Sequence, residues 1–373
     1  MRGWGVLGAG LLGASLALVA LAAVAQQDVP KLLVDDDCQT FAFDTTGNTI
    51  AYAVPRIKHA KRLYVERDDI WIANGTSRKR IVDAEKFMPW PPPTGYVINS
   101  MVWSPDGRRL ALDMTMQEAP PGYEVKSGKS KGKDEDDVED RSPVSTVGGG
   151  KVVGLLDGDG EEIRVAGSKD RFIQDAKQPA WLADSVSVVY LMGSSNQILR
   201  VKPSNGDSKT LFEGRSFDAV VWDGRRNQAY AIGGGIRGQP TLIRLDLVGE
   251  TLTEITHIDN YQGSLSLSPS GKKVAFFEDG DTIVVVDLAN PTHLRGVSAG
   301  YGRFEWSRDE RHVLLKRGPD DKSNSLVWVG LNDGSFASVL SDLTFRDFAV
   351  SPDGRALAVT QPGKRVLKVY PLP

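Results

Sequence analysis

The sequence predicts an all-β protein, a seven-bladed β-propeller of four-stranded antiparallel blades closed by an N-terminal strand. Three observations predict it: a hairpin phrase that returns seven times, a period close to that of one blade, and a further pair of strands behind each phrase. The phrase is apolar-apolar-Ser-Pro-Asp-Gly, two residues that are often basic, then apolar-Ala-apolar. It is clearest from Val102 to Leu112 and from Ala349 to Val359, with a third copy from Ser266 to Phe276. Weaker copies begin near Phe41, Ala180, Val220 and Phe304.

The chemistry of the phrase is that of a hairpin. Alternating apolar residues form a strand on either side. Pro105 and Pro352 preset the backbone for the first central turn position, Asp106 and Asp353 bond nearby amides, and Gly107 and Gly354 accept a positive φ. Third strands follow at Ile70-Trp71-Ile72, Val152 to Leu156, Ile198 to Val201, Leu242 to Leu245, Ile283 to Val286, Leu326 to Val329 and Val366 to Tyr370. Most end in a turn pair such as Asn74-Gly75, Asp157-Gly158, Asn205-Gly206 or Asp333-Gly334, and fourth strands such as Lys209 to Phe212 and Ala337 to Leu340 come next.

Trp181, Trp222, Leu267, Trp306 and Val350 mark successive inner strands at intervals of 41, 45, 39 and 44 residues. These match the ~40–45-residue blade period. Phe43 to Trp103 is 60 residues and Trp103 to Trp181 is 78, so blades one and two carry insertions. Only three strands of blade seven precede Pro373, and Lys31-Leu32-Leu33-Val34 has no other partner, so it is expected to supply the fourth.

The Ser-Pro-Asp-Gly phrases resemble the TolB-type, WD-like propeller repeat of bacterial envelope proteins, over about residues 31–373. The resemblance implies the fold and says little of function, because the signature residues build turns. TolB-type proteins add an N-terminal α/β domain to a six-bladed ring, for which there is no room here. The repeats are also similar to the propeller of prolyl oligopeptidase-type peptidases, but the Gly-x-Ser-x-Gly elbow of their hydrolase domain does not occur.

Residues 1–25 are expected to be a signal peptide. Arg2 is the positive n-region, Val6 to Val24 is apolar, and Ala23-Val24-Ala25 is an A-x-A cleavage signal that leaves 26–373 as a single propeller domain. The alternative is an uncleaved anchor, since the run approaches spanning length. Cleavage predicts a periplasmic or secreted monomer with no membrane span. Past the leader, 44 basic residues (the 45 of the whole chain less Arg2) face 48 acidic ones, a balance that argues against nucleic acid. The one cysteine, Cys38, cannot form an internal disulfide and is expected to be a small buried hydrophobe.

The Ser-Pro-Asp-Gly turns occupy one face of the ring and the long excursions the other. Pro55 to Asp69 is a basic connection within blade one, carrying Arg56, Lys58, Lys61, Arg62 and Arg67. Phe87 to Tyr96 is stiffened by Pro89, Pro91, Pro92 and Pro93 and leads to blade two. Gln117 to Gly150 contains a run of lysines and then acids, Lys126 to Arg141, and is expected to hold a disordered charged insertion at about 118–148.

No catalytic or metal-ligating set is legible, and no cofactor is expected. His59, His257, His293 and His312 fall in different blades and never pair at metal-ligand spacing. Asp157 to Glu162 lacks the full calcium-loop pattern and sits where other blades have a polar turn. One weak signal is a set of aromatics ahead of the inner strands: Tyr96, Phe172, Phe217, Tyr261, Tyr301 and Phe345. They either pack against the neighbouring blade or ring one mouth of the channel, with Arg171, Arg303, Arg346 and Asp218 beside them as polar handles. Trp90 in the Pro-rich loop completes the candidate binding set. The functional expectation is an exported, non-catalytic envelope scaffold that binds a protein or peptide. The alternatives are a propeller hydrolase, lyase or cyclase with a site in the channel, or a glycan or small-ligand binder.

Overall fold

In a computed structural model, the described residues are 31–34 and 38–372, apart from 61–62, 76, 88–94, 119–143, 146, 235–238, 292–293, 300–301, 318–323, 344, 346 and 362–365. They form seven antiparallel sheets arranged as the blades of a propeller. Blade one is Thr40–Phe43, Thr49–Ala60, Leu63–Asn74 and Ser77–Val82. Blade two is Gly95–Trp103, Arg109–Glu118, Val147–Asp157 and Ile173–Gln174. Blades three and four are Ala176–Trp181, Val188–Met192, Ile198–Lys202 and Asp207–Leu211, then Ala219–Asp223, Gln228–Gly234, Pro240–Asp246 and Thr251–His257. Blade five is Tyr261–Leu267, Lys273–Glu278, Thr282–Asp287 and Leu294–Ser298, and blade six is Phe304–Trp306, His312–Arg317, Asn324–Gly330 and Phe336–Leu343. Blade seven joins Asp347–Val350, Ala356–Gln361 and Val366–Pro371 to Lys31–Val34, which lies antiparallel to Val366–Pro371 with Lys31 opposite Val369 and Leu32 opposite Lys368.

The middle strands are near-continuous apolar runs, because both faces of a blade are covered by its neighbours. Successive side chains point to opposite faces, so one strand feeds two cores. In Arg109–Glu118, Leu110 and Leu112 pack toward blade one, whereas Ala111 packs toward blade three. The described residues hold seven such apolar clusters, one at each junction of adjacent blades. The alanine of the repeated phrase has a steric origin. Blades converge on the axis, and Ala51, Ala111, Ala229, Ala275 and Ala358, all wholly buried, fit that taper on the second strands. Indoles strap inner strands together: Trp103 donates through Nε1 to the Ala42 carbonyl (3.2 Å), and Trp222 likewise to that of Gln178 (3.0 Å).

The clearest turns close on their own serine and aspartate. At Ser104 the hydroxyl donates to Asp106 (2.5 Å) and accepts the Arg109 amide (2.9 Å), while the Gly107 amide donates to the Ser104 carbonyl (2.8 Å). Gly107 has φ of 69°, where an L side chain is strained. Ser351, Asp353 and Gly354 repeat this geometry, and so do Ser307 and Asp309 in a copy without proline. Neighbouring turns then bond to one another. The Asp106 amide donates to Ser185 Oγ (3.1 Å), the Ala183 amide to Asn227 Oδ1 (2.8 Å), Arg226 to the Ser270 carbonyl (2.5 Å), and the Ser270 amide to Glu310 (2.6 Å).

The excursions differ from the expectation in one respect. Pro55 to Asp69 is not a separate connection: it continues the two central strands of blade one, pairing through Arg56–Arg67 out to Ala60–Leu63. The ladder runs on although only Ile57, Tyr64 and Val65 of these arms are strong β-formers. At its base the buried Asp68 accepts the Ile98 amide of blade two (2.7 Å), and the buried Asp69 accepts the Ala84 amide (2.8 Å) and pairs with Arg56 (2.9 Å). The flanks of the blade-two insertion are strand as well. Glu118 pairs with Val147, and Val144–Ser145 lies parallel to Leu63 and Tyr64 of the blade-one hairpin. The charged run itself lies outside the described residues, as do the leader and most of the Pro-rich loop. Asp157 to Glu161 is a polar turn, its Asp157 carboxylate accepting the amides of Asp159 (3.0 Å) and Glu161 (2.9 Å). Cys38 is buried and in no disulfide, its thiol donating to the Thr40 carbonyl (3.5 Å).

Two predictions follow from this packing. In the chain 26–373, deleting Lys31–Val34 should strip the outer edge of blade seven and lower the thermal midpoint by several degrees; an unchanged circular-dichroism melt would count against a closing role. Asp353→Ala should cost about 1–2 kcal/mol, measured by urea unfolding, because it unlocks a turn. The Ser351 hydroxyl and Arg355 amide hold the Asp353 carboxyl below the usual carboxylate range. That stabilisation is therefore present above the ordinary carboxylate pKa and lost as pH falls through the lowered value, so wild type and variant should converge in acid.

Candidate functional site

The aromatics ahead of the inner strands are packing residues wherever they are described. Tyr96 and Phe345 are wholly buried, Phe217 is 1% exposed and Phe172 is 8% exposed. Tyr96 and Phe172 both meet Phe87, at ring separations of 5.6 and 5.7 Å. Phe217 sits edge-on to Phe212, Phe345 edge-on to Phe348, and the half-buried Tyr261 lies against Phe276. The physical reason is the path of the chain. Each link from the outer strand of one blade to the inner strand of the next crosses the seam between them, and a large ring fills that seam. Tyr96 also donates its hydroxyl to the Asp68 carbonyl (2.7 Å), tying blade two to the base of the blade-one hairpin, and burial pushes its pKa up. Arg171 is likewise spent, stacked 4.6 Å over Phe87 and paired with Glu162. Of the two arrangements that the sequence left open, Tyr96, Phe172, Phe217 and Phe345 take the packed one. Trp90, Tyr301 and Arg346 lie outside the described residues.

Arg303 is the one candidate that the structure places in the channel. A cavity of about 830 Å³ runs down the axis, lined by inner-strand residues including Ser100, Gln178, Val221, Leu267, Glu305 and Val350. Arg303 donates to Glu305 on its own strand (3.0 Å) and to Asp347 of blade seven. Asp347 is oriented in turn by the Phe348 amide on its carboxylate (2.9 Å), with the Thr360 hydroxyl accepting its own amide (3.0 Å). Arg303 and Glu305 leave 50% and 30% of their side-chain surfaces open to a channel that itself opens to solvent, while the protein packed around Glu305 still buries its carboxyl from bulk water. That burial raises the Glu305 carboxyl, and the charge of Asp347 adds to the rise while Arg303 opposes it. Burial disfavours the charge on Arg303, but the two carboxylates outweigh it and raise its pKa. A carboxyl shifted by burial inside a cleft is the usual mark of a working site.

Sequence reasoning missed Glu305 and Asp347, although one signal was present. The residue before each inner-strand marker is Ala42, Val102, Ala180, Val221, Ser266, Glu305 or Ala349. Glu305 is the charged member of a position otherwise small or apolar. A second feature could not have been found from sequence: Gln178, on the channel wall, has φ of 50°. Its amide donates to Asp113 (2.7 Å) and its carbonyl accepts from Trp222. Strained non-glycine backbone of this kind concentrates at functional positions.

No protein-family model matches the chain, and no curated protein matches it in sequence. Solved structures do match in fold. An oligogalacturonate lyase in complex with manganese superposes with a TM-score of 0.58 at 11% identity, covering 94% of each chain. TolB from Acinetobacter baumannii gives a TM-score of 0.42 at 14% identity, covering 86% of this chain and 80% of its own. The chain is thus a seven-bladed β-propeller structurally similar to the lyase, and an identity this low carries the fold alone. Among the described residues no group of three or more His, Cys, Asp or Glu is placed to hold a metal ion. Nor is any helix of the described residues long and apolar enough to cross a membrane.

The burial of Tyr96 yields a direct test. Tyr96→Phe should cost about 1–2 kcal/mol through the lost bond to the Asp68 carbonyl. Tyr96→Ala should cost about 3–5 kcal/mol through the cavity it leaves. Urea unfolding of both checks this, and equal stability to wild type would place the ring outside the core.

Proposed function

We propose that the protein is an exported, non-catalytic scaffold of the cell envelope that binds a protein or peptide on the face opposite the Ser-Pro-Asp-Gly turns. The observation that carries this reading is the asymmetry of the ring. The strands of the blade-one hairpin are 12 residues each, against 5 to 7 for the middle strands of blades three to five. The hairpin is pinned at its base by buried carboxylates and flanked by a strand from the blade-two insertion. A rigid frame that elaborates two adjacent blades on one face has local loops as its route to specificity. A pre-ordered hairpin also loses little entropy on binding. Trp90, beside this elaboration in sequence, offers the large amphipathic side chain that dominates protein interfaces. The export step rests on the leader-like residues 1–25.

The alternative, a site in the channel, is favoured by one observation, the Arg303–Glu305–Asp347 cluster.

The test of the face is a trimmed hairpin. Replacing residues 57–66 by Asn-Gly joins Arg56 to Arg67 through a two-residue turn of the type hairpins prefer. The variant should melt close to wild type and lose the partners that the mature chain retains from envelope extract, compared by quantitative mass spectrometry. Lys272→Ala on the turn face should retain them. Loss with Lys272→Ala and retention with the trimmed hairpin would reverse the assignment of faces.

A further inference from the structure

The channel carries charge of opposite sign toward its two ends. On the side where the inner strands begin, Arg303 stands between Glu305 and Asp347, one cation to two carboxylates. On the turn side, Arg225 and Arg308 line the same cavity, both exposed, in the turns of blades four and six. The remaining charged group on the wall, Asp223, is already taken by Arg226 (2.5 Å). The Asp353 carboxylate near Arg308 is occupied by the Ser351 hydroxyl (2.6 Å) and the Arg355 amide (3.1 Å).

This arrangement selects among ligand classes. An anion gains little at the first end, because Arg303 already faces two carboxylates. A cation there supplies the missing charge and offsets the cost that burial places on Glu305. At the turn end the preference is reversed, since two guanidinium groups suit a carboxylate. Glu305 lies in the inner strand and Arg308 in the turn that follows it, three residues on, which leaves at most about 10 Å between them along the chain. An extended peptide of about three residues spans the same distance. Between the two ends the wall is formed by Gln178 together with apolar surface from Trp222 and Trp306. The volume of about 830 Å³ is within the range of small-molecule sites.

We propose that the central channel is a binding site for a short zwitterionic peptide, its ammonium at Glu305 and Asp347 and its carboxylate at Arg225 and Arg308. The inference rests on the channel reading and not on the elaborated face, so a failed hairpin experiment leaves it standing, and the reverse also holds.

The test uses the mature chain with three probes: trialanine, N-acetyl-trialanine and trialanine amide. Binding is followed by the fluorescence of the channel tryptophans and by calorimetry. Trialanine should bind saturably, and blocking either terminus should weaken it about tenfold, the equivalent of about 1.4 kcal/mol. Glu305→Gln should abolish the difference between trialanine and its N-acetyl form while keeping that between trialanine and its amide. The double variant Arg225→Ala with Arg308→Ala should do the converse. Both arginines are exposed turn residues, so this arm decides even where Glu305→Gln fails to fold. No saturable binding of trialanine, or equal affinity for all three probes, would overturn the proposal.

Discussion

Every blade in this protein depends on its neighbours, because neither face of a blade can be left to water. The middle strands are apolar on both sides, and each of the seven clusters draws on two blades. A four-stranded sheet of this composition has no stable existence alone, and stacking is what buries it. The residues that look most functional in sequence answer first to this demand. Tyr96, Phe172, Phe217 and Phe345 are large because the seams between blades are wide at the crossing links. The indoles of Trp103 and Trp222 serve the same seams nearer the axis.

The second constraint is the locked turn face. Serine and aspartate satisfy the turn amides, and the turns then bond to one another from blade to blade. These turn amides are satisfied within the ring, and exposed side chains such as Arg225 and Arg308 are what the turn side presents to the channel. The opposite face carries the only 12-residue hairpin strands among the described residues. The channel carries charges that packing does not require. Both features stand on the same rigid ring, so a site on either is held in place without needing a lid or hinge.

The Arg303–Glu305–Asp347 cluster shows how propeller closure makes chemistry that a single blade cannot. Glu305 shares a strand with Arg303, but Asp347 is brought up by the next blade. Their mutual charge matters because the channel wall excludes most of the solvent that would screen it. Residues that would be ordinary surface groups on an open sheet become a cluster in which the pKa values of Arg303 and Glu305 are both raised.

The sequence by itself determined the architecture. Repeat number, turn chemistry, strand alternation and insertion positions are all local or periodic, and a propeller is built by repeating one local unit. Even the degenerate turn at Ser307 and Asp309 was legible as the same structure, since its hydroxyl and carboxylate do the work that proline only assists. The tertiary structure alone decided which side chains face a seam and which face the channel. Tyr96 and Arg303 both lie where the chain enters an inner strand, yet one is wholly buried and the other opens to the axis. That outcome turns on the angle at which a link crosses between blades, a matter of ring closure rather than of local propensity. The pairing of Pro55 to Asp69 as extended strand, the approach of Val144–Ser145 to it, and the meeting of Glu305 with Asp347 arise likewise from contacts between segments far apart in the chain. No single stretch of sequence encodes them, because the energy that fixes each is shared between elements that become neighbours only in the folded ring.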